Sequence, residues 1–232
     1  MKQARPVLLG AVIFLAGALG ARPATANVTI VSQTRTVQAN ASSVDGSNGQ
    51  NDSDSASAAA PDDGPFVQGA GAFAFVDNGS AGGAANQNST LSADQFVATG
   101  NCGMDAYGGS NSVFSSVSAT SLFDVTFTVS VESTYTLTGF MNGYDSGHSD
   151  ISLSGPGGSL FQEFAGGNLQ IDFDELGTLV PGEYRIRASS SGSVAVGLGK
   201  NYASGDFSLT LTVAKPVSVE STSWASVKAA HR

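Results

Sequence analysis

LFDVTFTVSVESTYTLTGFM (122–141) is the stretch that decides the fold. Phe123, Val125, Phe127, Val129 and Val131 alternate with Asp124, Thr126, Thr128 and Ser130. After Glu132-Ser133 the alternation resumes, with Tyr135, Leu137 and Gly139 set against Thr134, Thr136 and Thr138. A strict period of two in β-branched and aromatic residues describes strands with one buried and one wet face. The short polar break predicts an antiparallel hairpin. Its expected core residues are Phe123, Val125, Phe127, Val129, Tyr135 and Leu137.

The same alternation recurs on both sides. Leu169, Ile171 and Phe173 alternate with Gln170, Asp172 and Asp174, and Phe207, Leu209, Leu211 and Val213 close the series. Val180-Pro181-Gly182-Glu183 has the Pro-Gly centre of a type II turn, where glycine supplies the positive φ. Val28, Ile30, Thr34, Thr36 and Gln38 begin the first strand, and Phe73, Phe75 and Val76 mark another. The count is about eleven strands with frequent turn signals and no amphipathic helix, which predicts an all-β, antiparallel, jelly-roll-like β-sandwich in one domain. A barrel is the second choice.

Residues 1–26 read as a secretory signal: Lys2 and Arg5, an apolar run from Val7 to Leu19, then Ala24-Thr25-Ala26. The run is too short to span a bilayer, so the mature chain is expected to have no transmembrane anchor. The expected location is secreted or at the cell surface. Residues 27–215 form the sandwich domain. Within it, residues 40–64, NASSVDGSNGQNDSDSASAAAPDDG, hold one Val and no aromatic residue. Burial of that segment offers little to offset its ordering entropy, so a flexible low-complexity loop is expected there. Gly79 to Ala85 and Gly100 to Asn111 read as further loops. Residues 216–232 form a tail in which Trp224 and His231 fall on one face of a possible short helix.

Ten Lys or Arg stand against nineteen Asp or Glu, for a formal charge of −9, and Lys2, Arg5 and Arg22 lie in the leader. A surface of that sign repels phosphate backbones, which argues against nucleic acid as a partner. Cys102 is the single cysteine, so an internal disulfide framework is ruled out and hydrophobic burial must hold the core.

Leu122 to Met141, the Gly155-Pro156-Gly157 turn, GTLVPGEYRIRASS (177–190) and DFSLTLTV (206–213) resemble bacterial pre-peptidase C-terminal-like domains. That resemblance covers roughly Ser121 to Val213 and implies a small secreted β-sandwich, appended to exported enzymes or standing apart from them. It carries no catalytic residue across. The layout is also similar to exported bacterial proteins with a short C-terminal sorting tail, with Lys215-Pro216 and STSWASVKAAHR in that place.

Chemistry-bearing residues gather in Phe140 to Asp150, at the exit of the expected hairpin. Nucleophilic catalysis needs a base beside the hydroxyl, and His148 is the one histidine of the domain. It sits near Ser146 in GYDSGHSD (143–150), which is no nucleophile elbow between strand and helix. A hydrolase is therefore the weakest reading, and no catalytic residue is assigned. Asp145 and Asp150, with carbonyls freed by Gly143 and Gly147, are hard oxygen donors of the kind calcium takes. Phe140, Tyr144 and His148 could contact a sugar ring. The expectation is a non-catalytic structural or interaction module that meets a surface protein. The alternative is a module using residues 140–150 for an extracellular glycan or calcium.

Overall fold

The computed structural model describes residues 28–214. The leader at 1–26 and the tail at 216–232, including Trp224 and His231, lie outside the described residues. Twelve strands run in chain order. They are β1 Val28–Asp45, β2 Gln50–Ala59, β3 Phe66–Val76, β4 Gly79–Leu91, β5 Gln95–Gly108 and β6 Val113–Val129, then β7 Ser133–Asp145, β8 His148–Gly155, β9 Gly158–Gly166, β10 Leu169–Leu179, β11 Gly182–Val196 and β12 Gly199–Ala214.

They form two six-stranded sheets, β2-β1-β6-β11-β8-β9 (sheet A) and β10-β7-β12-β5-β4-β3 (sheet B). Every pairing is antiparallel. The all-β sandwich expected from the alternation is present, with one strand more than the count.

The expected hairpin at 122–141 is not formed. β6 lies between β1 and β11 in sheet A, whereas β7 lies between β10 and β12 in sheet B. The break at 130–132 carries the chain from one layer to the other, and Ser133 Oγ donates to the Val131 carbonyl at 2.9 Å at the crossing. Alternation specifies which face is buried, but two strands facing each other across a core alternate just as two paired strands do. The six core residues expected of this stretch are all buried, each exposed by 6 % or less. Phe127 from sheet A meets Phe96 from sheet B edge to face, with ring centroids 5.0 Å apart.

The core has two parts of different thickness. Phe, Leu, Ile, Val and Tyr from β5, β6, β7, β11 and β12 fill one end. The other end is lined by Ala39, Ala41, Ala70, Ala72, Ala81 and Ala85, with Cys102, Met104 and Val117. There the sheets approach so closely that a Cβ on Gly83 would meet Val117 Cγ2 at 2.6 Å.

This thin end corrects the loop expected at 40–64. β1 continues to Asp45, and β2 returns beside it in unbroken register from Asp45↔Gln50 to Thr36↔Ala59. Alanine suffices to fill a narrow gap, and the backbone ladder satisfies the polar main chain. β2 is also tied across to sheet B. Asp52 Oδ2 accepts from Phe75 N at 2.9 Å, Asp54 Oδ2 from Phe73 N at 3.1 Å, and Gln50 Oε1 from Asp77 N at 2.9 Å. These bonds occupy free N–H groups of the β3 edge, which otherwise invite pairing with another chain. Gly79 to Ala85 and Gly100 to Gly108, read as loops, are likewise strand, in β4 and β5.

Arg35 is 1 % exposed, a buried cation between the layers. Its guanidinium donates to Gln33 Oε1 at 3.0 Å, Ser89 Oγ at 3.3 Å, the Gly64 carbonyl at 2.8 Å and the Asp62 carbonyl. It also lies over the Phe66 ring, 5.8 Å from the centroid. Desolvation pushes its pKa down, and the charges of Asp63 and Asp62 oppose that shift. Arg35 thus anchors residues 60–65, the link from β2 to β3, by satisfying their carbonyls from inside.

Candidate functional site

The outward residues of sheet B line up in rows across the strands, because each strand is in register with its neighbours. One row reads Gln170, Asn142, Asp206, Asn101 and Asn86, from β10 through β7, β12 and β5 to β4. The next reads Tyr144, Ser204, Gly103, Ala84 and Gly71. The third reads Tyr202, Asp105, Gly82 and Phe73. A row of small residues therefore runs between a row of amides and acids and a row with aromatic ends. The result is a groove perpendicular to the strands.

Its floor is Ser204, Gly103, Ala84 and Gly71. A depression of about 330 Å³ lies over Ala84, Gly103 and Ser204, walled by Asn101, Asn142 and Asp206. It meets another of about 540 Å³ that spreads over Gly71 and Gly103 between Phe73, Asp105 and Asp54. A Cβ on Gly103 would meet nothing within 4 Å. The fold itself places no steric demand for glycine there, although glycine weakens a strand interior.

The aromatic wall is exposed: Phe73 by 59 %, Tyr202 by 48 % and Tyr144 by 40 %. The Tyr144 and Tyr202 rings stack at 5.3 Å with a 14° interplanar angle, and their hydroxyls are 2.9 Å apart. That stack closes the β7 end of the floor. Within the polar row, Asn86 Nδ2 donates to Asn101 Oδ1 at 3.1 Å. Asp206 Oδ1 is buried without a hydrogen-bond partner. Burial pushes the Asp206 carboxyl above its ordinary pKa, and a hydrogen bond from Asn142 partly offsets the shift.

The residues singled out in 140–150 are divided between the two faces of the sandwich. Phe140 and Tyr144 stand on the outer face of sheet B. Phe140 is half-buried in the row Asp172, Phe140, Ser208, Thr99, beside the amide row. His148 and Asp150 stand on the outer face of sheet A, opposite Ser191 and Ser189 of β11. His148 Nε2 lies 2.9 Å from Ser191 Oγ, and its ring lies 5.4 Å from that of Phe164. Asp150 accepts from Arg187 Nη1 at 3.1 Å and from Ser189 Oγ. Asp145, at the exposed end of β7, has φ of 52°, and its N–H donates to Asn168 Oδ1 at 3.3 Å. Asp150 is thus engaged with Arg187 and Ser189. Among the described residues, no group of three or more His, Cys, Asp or Glu is placed to hold a metal ion.

The groove residues Asn86, Asn101, Gly103 and Asp206 were not anticipated. They come from the consecutive strands β4 and β5 and from the distant β12, and cross-strand register assembles them. The available signal was glycine and asparagine at outward positions of otherwise alternating strands. Cys102, next to Gly103, points the other way: it is a buried free thiol, and burial pushes its pKa up.

No family model matches the chain, and no curated protein matches it. A solved structure described as TmCBM61 in complex with β-1,4-galactotriose is similar over 44 % of this chain and 71 % of its own, with 12 % identity and a TM-score of 0.21. A likeness of that size carries no argument, and the functional reading rests on this chain's own residues. Among the described residues, no helix is long and apolar enough to cross a membrane.

Proposed function

We propose that this chain is an exported, non-catalytic binding module whose outer face on sheet B takes a saccharide. The observation that carries the reading is the small-residue floor between an amide row and an aromatic wall. Sugar rings present apolar C–H faces and a rim of hydroxyls. Exposed aromatic rings serve the first, and Asn and Asp side chains serve the second as donors and acceptors. A concave strip with a few convergent polar groups is the usual form of a small-molecule site. The rigidity of paired strands means that little ordering cost remains at binding.

The His148 and Ser191 pair does not favour hydrolysis. Asp150, two residues along β8 from His148, is engaged by Arg187 and Ser189, and among the described residues no carboxylate hydrogen-bonds to the imidazole to orient it as a base. Export rests on the reading of residues 1–26.

The test is calorimetric titration of the protein with neutral cello-, xylo-, galacto- and chito-oligosaccharides. At least one series should bind, with Asn101→Ala and Tyr202→Ala each weakening it about tenfold or more. Silence across the panel, or binding untouched by both substitutions, would refute the site.

A further inference from the structure

Beyond the presence of a saccharide site, and resting on that reading, the groove's length and charge define which saccharides enter. The geometry points to a linear chain of about three or four neutral or amino-bearing sugar units, with uronate-bearing and sulfated chains rejected.

Length follows from strand spacing. The floor crosses β12, β5, β4 and β3, and at about 4.8 Å per strand it extends roughly 15–20 Å, enough for about three or four pyranose rings end to end. Its walls, one amide row and one aromatic row, leave a single file. The stacked Tyr144 and Tyr202 rings bound it at β7. At the β3 end the rows run out at the edge of sheet B. The site thus reads a chain along its length, and further units hang free of contact.

Charge follows from the side chains that face the floor. Asp206 stands in one wall, Asp105 in the other, and Asp54 reaches the β3 end from sheet A. The described cations lie elsewhere. Arg35 is buried, Arg185 pairs with Asp124 and Arg187 with Asp150 on the outer face of sheet A. Lys200 stands beyond the aromatic row, opposite Tyr107. A carboxylate or sulfate on a ligand would lie among like charges without a compensating cation, whereas a hydroxyl or ammonium would find acceptors. Asp206 lines the depression over Gly103 and Ser204, where its carboxylate would accept from a ligand hydroxyl or ammonium and repel a ligand carboxylate. Asp206 is accordingly the specificity-determining residue of the groove.

The experiment uses the whole chain and two series. The first is a neutral oligosaccharide of the type that binds, from two to six units. The second compares four-unit galactan, chitosan and galacturonan oligomers at low and high salt. Affinity should rise about tenfold from two to four units and then level off. The galacturonan oligomer should bind at least about tenfold more weakly than the neutral one at low salt, and the gap should close near 1 M salt as Coulomb repulsion is screened. Asp206→Asn, which keeps the shape and removes the charge, should narrow the gap between the galacturonan and the neutral oligomer by at least about threefold. If saccharides bind but galacturonan binds as well as galactan, or affinity still climbs from four to six units, this inference fails and the saccharide site stands. If no saccharide binds, both fall together.

Discussion

Replacing Gly103 separates the groove's role from the fold's. Its neighbours across the ladder are Ser204 and Ala84, its φ is not positive, and a Cβ there would meet no atom within 4 Å. Glycine in a strand interior costs about 0.5–1 kcal/mol through backbone entropy. Gly103→Val adds a β-branched side chain that fits the strand, so the protein should gain up to about 1 kcal/mol, or roughly 2–4 °C in Tm. The added branches stand on the floor where a sugar ring would lie, and saccharide affinity should fall by at least about tenfold. Thermal melting gives the first quantity and titration calorimetry the second. The combination, higher stability with lost binding, is diagnostic of a position kept open for a ligand. A drop in Tm would show that Gly103 is demanded by the fold, and unchanged binding would show that nothing lies over it. Either result refutes the reasoning.

Three further outcomes follow from the packing. Arg35→Ala leaves the Gly64 and Asp62 carbonyls and Ser89 Oγ without their donor and opens a cavity under Phe66; the expected cost is about 3 kcal/mol, which urea unfolding should register. Asp52→Ala with Asp54→Ala uncovers the N–H groups of Phe75 and Phe73 on the β3 edge, so light scattering should show more concentration-dependent association than in the unaltered protein. For Asp206 the folded pKa lies above the unfolded one, so the folded state holds more protons in the window just above the ordinary carboxylate range, and its contribution to stability falls as pH rises through that window. Asp206→Asn should remove that fall, so that in a melting series from acid to neutral pH the variant's Tm drops less, or rises more, than that of the unaltered protein; the opposite difference would show the sign to be wrong.

Much of the architecture was legible wherever large apolar residues alternate. Phe123 through Val129, Tyr135 with Leu137, and Phe207 through Val213 are strands with the expected inward faces. Pairing was not legible at 122–141, because alternation is blind to whether two strands lie side by side or face to face. The segment 40–64 was misread because its buried positions on β1, Ala41, Ser43 and Asp45, keep the period with side chains too small or too polar to register as a buried face. Its partner β2 owes its place to the ladder with β1 and to side-chain bonds with β3, neither of which leaves an apolar signature. Of the residues singled out at 140–150, Phe140 and Tyr144 stand on the outer face of sheet B beside the groove. His148 and Asp150 follow them closely in sequence, yet the chain changes sheets between Asp145 and His148 and carries them to the opposite face.

The most direct test is a map of backbone amide shifts as a neutral four-unit oligosaccharide, from whichever series binds, is titrated in. Perturbations should concentrate at Asn86, Asn101, Gly103, Asn142, Ser204 and Asp206, with the outer face of sheet A unmoved. Perturbations centred on His148, Asp150 and Phe164 instead would contradict a site on sheet B.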